Sequence, residues 1–63
     1  MRDALELLMS QIEERRVSII ESLGDGAAKD FGGYQMSVGM VRGLLTAQSL
    51  IADLAKRMEE ADE

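Results

Sequence analysis

Apolar residues return along this chain at intervals of three and four. In the C-terminal half, Met40, Leu44, Ala47, Ile51, Leu54 and Met58 step by four, three, four, three and four. That rhythm places them on one face of a helix, and the stretch 30–58 reads as one long element. A second stripe, Tyr34, Val38, Val41 and Leu45, runs beside the first over its N-terminal half. In the N-terminal half of the chain, Leu5, Leu8, Ile12, Ile19 and Leu23 share a face, with Arg15 and Arg16 filling the gap at its middle. Met9, Val17 and Ile20 widen that stripe, and Glu13, Glu14 and Glu21 are assigned to the wet side. Glu13 and Arg16 are spaced so that their side chains can meet; the adjacent pair Glu14 and Arg15 is not.

The punctuation between the stripes sets the boundaries. Asp3 as N-cap, with Glu6 three residues on, marks the start of the first helix. Gly24-Asp25-Gly26 ends it, with Gly24 placed where a left-handed residue is wanted. Asp30 is the expected N-cap of the second helix, although a start as early as Ala27 fits too. Gly32 and Gly33 are poor helix formers, so the first turn is expected to fray when the helix is alone. Glu59, Glu60, Asp62 and Glu63 stand at the negative end of the helix dipole, and the last three or four residues are expected to be disordered. The elements are thus a first helix over about 3–23, a loop at 24–29 and a second helix over about 30–60. The short loop makes the helices antiparallel neighbours. The fold class is all-α: an antiparallel two-helix hairpin that oligomerises into a bundle or docks on a larger assembly. At ~1.5 Å per residue the second helix reaches about 43 Å against about 31 Å for the first. Two stripes on the longer helix ask for two partners, of which the first helix is one.

Composition sharpens that expectation. Sixty-three residues make one small domain, whose core rarely supplies more than roughly 3–5 kcal/mol. The chain has no cysteine and no histidine. Disulfides are therefore excluded, and zinc and similar metals are disfavoured. The remaining staple is another protein chain. The absence of proline and the abundance of alanine, leucine, methionine and glutamate favour helix. A net charge of −5 argues against a phosphate backbone and an anionic membrane surface as partners. No apolar run approaches the ~18 residues of a membrane span, and MRDALELL lacks a signal-peptide pattern. A soluble chain, intracellular at synthesis, is the expectation.

Candidate chemistry is sparse. The five serines have no histidine base, and paired acids such as Glu13-Glu14 and Glu59-Glu60 read as solvated faces. No enzyme activity, cofactor or metal is expected. Gly24-Asp25-Gly26 with Asp30 lacks the alternating acids and closing glutamate of a calcium loop. The glycines at 24, 26, 32 and 33 follow no strand and lead to no Lys-Ser/Thr, so they form no phosphate loop. Arg15-Arg16 is too small a basic spot to signal nucleic acid. Gly39 and Gly43 lie four apart, a spacing that either lets another backbone approach closely, within the hairpin or between subunits, or reflects two glycines the helix simply tolerates. Arg42 lies between them, either solvated or paired with an acid of the first helix or of a partner. Phe31 and Tyr34 either plug the open end of the hairpin or anchor an interface. The interface candidates are Tyr34, Val38, Gly39, Val41, Arg42, Gly43 and Leu45.

The run SLGDGAAKDFGGYQMSVGMVRGLL, residues 22–45, resembles a pattern in small proteins encoded among the structural genes of tailed bacteriophages. The residues that carry the resemblance are Gly26, Ala28, Asp30, Phe31, Tyr34, Gly39, Arg42, Gly43 and Leu44. It covers the middle third of the chain and departs at Gly32 and Gly33, where better helix formers are expected. The resemblance implies a non-enzymatic virion or assembly component. Such a protein would bind capsid, portal or tail proteins through an apolar helix face, in repeated copies or on a larger assembly. It would be made in the host cytoplasm and carried in the virion. The alternative from a different class is an acidic regulatory adaptor that modulates a host enzyme. A third reading is a stand-alone dimeric four-helix bundle.

Overall fold

The computed structural model describes residues 2–62, with side chains described from Asp3 to Ala61. Two helices account for most of them: α1, Arg2–Gly24, of 23 residues, and α2, Phe31–Asp62, of 32 residues. They pack side by side as a hairpin, in a rod measuring 50 × 16 × 11 Å. Thirty-two residues at ~1.5 Å of rise account for the long dimension.

The joint is built from specific hydrogen bonds. Ala27 N donates to Ser22 O at 2.9 Å and Gly26 N to Leu23 O at 3.1 Å, the paired bonds of a Schellman cap. The left-handed residue is Gly26, at φ 85°, and not Gly24, which remains helical. The expected position was therefore two residues early. Asp25 N still reaches Glu21 O at 3.0 Å, which carries the helix past Gly24. Asp30 caps α2 as expected: its Oδ1 accepts from Gly33 N at 2.7 Å, and its carbonyl accepts from Tyr34 N at 3.1 Å. A Cβ on Gly33 would lie 3.2 Å from that Oδ1, so a glycine makes room for the capping carboxylate. In the hairpin the first turn of α2 is helical through both glycines and closes over Asp30.

Two end expectations are corrected. Helix α1 already includes Arg2, so Asp3 sits in the first turn, where its charge suits the dipole, and does not cap the helix. Helix α2 continues to Asp62 where disorder was expected; Glu63 lies outside the described residues. The run AKRMEEA consists of the strongest helix formers, and their summed propensity outweighs an unfavourable dipole term of ~0.3–1 kcal/mol per acid.

The seam between the helices is turned relative to the expected stripes. From α1, Leu5, Met9, Ile12, Arg16, Ile19 and Leu23 are half-buried; from α2, Val41, Leu44, Gln48, Ile51, Ala55 and Met58. Both sets step by three and four, the spacing of an antiparallel coiled-coil pair. Leu8, expected in the seam, is exposed, and Met9 takes its place. Met40 and Leu54, of the first α2 stripe, lie outside it as well, while Val41, of the second, lies within it. Among the described residues no side chain is fully buried.

Candidate interaction faces

The two long sides of the hairpin differ in chemistry. On one side, Arg16 Nε donates to Glu13 Oε2 at 3.0 Å, and its Nη2 donates to Glu13 Oε1. Gln48 of α2 donates from Nε2 to the same Oε2 at 3.0 Å, and lies 3.5 Å from Met9 O. Two polar residues at seam positions thus meet on one carboxylate, and the contact sets which residues of α1 stand beside which of α2. Arg16 lays its stem along the seam, with 22% of its side chain exposed. The hydrogen bonds from Arg16 and then Gln48 hold the Glu13 carboxyl below its usual value, against a small opposing effect of desolvation. Glu13 was assigned to the wet side, and Gln48 carried no assignment. A polar residue in step between Leu44 and Ile51 was the available signal for it. On this side Leu45, Val17 and Ile20, and Tyr34 towards the loop end of α2, remain exposed.

On the other side an open groove of about 540 Å³ runs between the helices, lined by Gln11, Ile12, Arg15 and Ile19 of α1 and Met40, Gly43 and Leu44 of α2. By helical spacing Met36, Leu50 and Leu54 stand on the same side of α2 as Met40, and Leu8 on the same side of α1 as Arg15; all five apolar residues are exposed.

The seven candidate interface residues are not brought to one patch. Val38 and Val41 are half-buried, while Tyr34 and Leu45 are exposed on the Gln48 side. Gly43 opens onto the groove, and Gly39 and Arg42 are exposed towards the back of α2. A Cβ on Gly39 or Gly43 would meet nothing within 4 Å. The close helix crossing is therefore not made within the hairpin. Arg42 points away from α1, so an acid of α1 is not its partner; its carbonyl accepts from Thr46 Oγ1 at 3.0 Å. Phe31 and Tyr34 stack on each other, centroids 6.4 Å apart and planes at 25°. Phe31 is nonetheless 70% exposed, so the pair does not plug the hairpin end.

By length and composition alone α2 meets the criterion for a membrane-crossing helix, which corrects the expectation that no run approaches it. Gln35, Arg42, Thr46, Gln48 and Ser49 interrupt that stretch, and an arginine at a bilayer centre costs ~2.5–3.5 kcal/mol. Among the described residues no group of three or more acids could hold a metal ion. Comparison with protein-family models, with curated proteins and with solved structures finds no match for this chain.

Proposed function

We propose that this chain is a non-enzymatic structural and interaction protein, a small component of a tailed-phage virion or of its assembly. It binds capsid, portal or tail proteins through the exposed apolar residues of α2. The observation that supports an interaction role is the unfinished core: no described side chain is buried, and eleven large hydrophobic residues are exposed. A chain that keeps so much apolar surface in water is completed by another surface. The phage setting rests on the resemblance over residues 22–45. The face assigned to the foreign partner is the Gln48 side, where Tyr34, stacked on Phe31, and Leu45 offer an aromatic and aliphatic anchor.

The test is particle association. The chain should co-purify with virions or assembly intermediates at fixed stoichiometry, and Tyr34→Asp with Leu45→Asp should remove it. Absence of the chain from both kinds of particle overturns the proposal. A second reading, the acidic adaptor, draws on Asp3, Glu14 and Glu21, which recur on one outer face of α1. It requires salt-sensitive capture of a host enzyme, weakened when those acids are neutralised.

A further inference from the structure

The groove side of α2 carries a second seam of its own. Met36, Met40, Gly43, Ala47, Leu50 and Leu54 step by four, three, four, three and four. This is the same spacing as the seam that faces α1, displaced around the helix. None of the six is charged. Their sizes read the same from either end: two large residues, two small, two large. Reversed about the midpoint between Gly43 and Ala47, Met36 falls on Leu54, Met40 on Leu50 and Gly43 on Ala47. A surface with that symmetry is complementary to itself across a two-fold axis.

The amount of surface agrees. The chain exposes 5007 Å². A compact protein of 6.9 kDa exposes roughly 4,000 Å², so about 1,000 Å² per chain is in excess. A stable pairwise interface removes about 800 Å² from each partner. Charge points the same way. In a chain of net charge −5, the acids of α1 stand off this side: Asp3, Glu14 and Glu21 on the outer face, Glu6 and Glu13 towards the Gln48 side. Two copies meeting on the groove side keep their acids apart. Arg15 is the charged residue that lines the groove.

We infer that two copies of this chain pair through the groove side, α2 against α2 antiparallel, crossing at Gly43 and Ala47. Gly43, whose Cβ position is empty in the hairpin, supplies the close approach. Leu8, Met36, Met40, Leu50 and Leu54 become the core the single hairpin lacks. This pairing does not depend on the phage reading, which uses the opposite side.

Thiol cross-linking tests it, because the chain has no cysteine of its own. Met40→Cys and Leu50→Cys chains are prepared separately, mixed and oxidised. In an antiparallel pair the two thiols oppose each other, so the mixture forms cross-linked dimer. Met40→Cys alone does not, because its two copies are separated by ten residues of rise, about 15 Å. Sedimentation of the unmodified chain provides the second readout and shows a dimer. Dissociation by at least a hundredfold is expected for Leu50→Asp, with Leu45→Asp still dimeric. A folded monomer overturns the inference, and so does a dimer that Leu45→Asp dissociates and Leu50→Asp leaves intact. Efficient cross-linking of Met40→Cys alone overturns the antiparallel register.

Discussion

On one side of the hairpin, Gln48 reaches across the seam to the carboxylate that Arg16 also holds. On the other, Ile12 and Arg15 face Met40, Gly43 and Leu44 over an open groove. The same two helices supply both sides. The first uses polar groups at seam positions, which fix how the helices are aligned and add little burial. The second carries apolar surface in a repeating pattern and leaves it open. Alignment and core completion are therefore separate tasks here, and they fall on opposite sides of the molecule.

Charge inserted on each side is the strongest way to break that comparison. Leu50→Asp would place an unpaired charge in the inferred interface, at a cost of about 3–5 kcal/mol, or roughly a two- to four-decade loss of pairing. Leu45→Asp, on the Gln48 side, should leave the mass unchanged. Equal effects from the two would erase the distinction between sides.

The glycines give the next contrast. Gly39→Leu and Gly43→Leu both meet open space in the hairpin. Gly39→Leu should stabilise α2 by up to ~1 kcal/mol through helix propensity and leave the oligomer intact. Gly43→Leu should wedge the copies apart and leave a monomer of reduced helix content. Unchanged mass and a raised Tm in both variants would remove the crossing at Gly43.

Changes at the joint should not discriminate between sides. Gly26→Ala forces a Cβ into a left-handed conformation, at φ 85°, and should cost about 1–2 kcal/mol. Asp30→Ala removes the cap of α2 and should cost about 1 kcal/mol. Thermal unfolding of each, with its mass, checks this; selective loss of pairing would tie the joint to the groove.

The smallest effect belongs to Glu13. Its pKa is lowered in the folded chain, so its contribution is present above the ordinary value of 4.5 and is lost as pH falls through the folded value. Glu13→Gln should flatten that acid-side fall in Tm. An unchanged pH profile would mean the network contributes nothing to stability.

The hairpin was legible because spacing of three and four residues reports a helix face directly. The Asp30 cap was legible because an aspartate before a helical run has one strong local role. Leu8 was misplaced, and the arc of α2 that meets α1 was left open, for one physical reason: with apolar residues around more than half of each helix, periodicity alone does not say which arc meets the neighbour. The polar members of the seam decide that. Arg16 and Gln48 stand in step with Ile12, Ile19, Leu44 and Ile51, and turn the helices so that Met40 and Leu54 fall outside. The left-handed turn moved from Gly24 to Gly26 because either glycine can adopt it, and the Schellman bonds select the later one.

The most direct test of the account is the solution mass across a dilution series, with helicity followed by circular dichroism on the same samples. The account predicts twice 6.9 kDa at high concentration, with helix content falling as the pair dissociates. A chain that stays fully helical at 6.9 kDa throughout would show that the hairpin needs no second copy, and would contradict it.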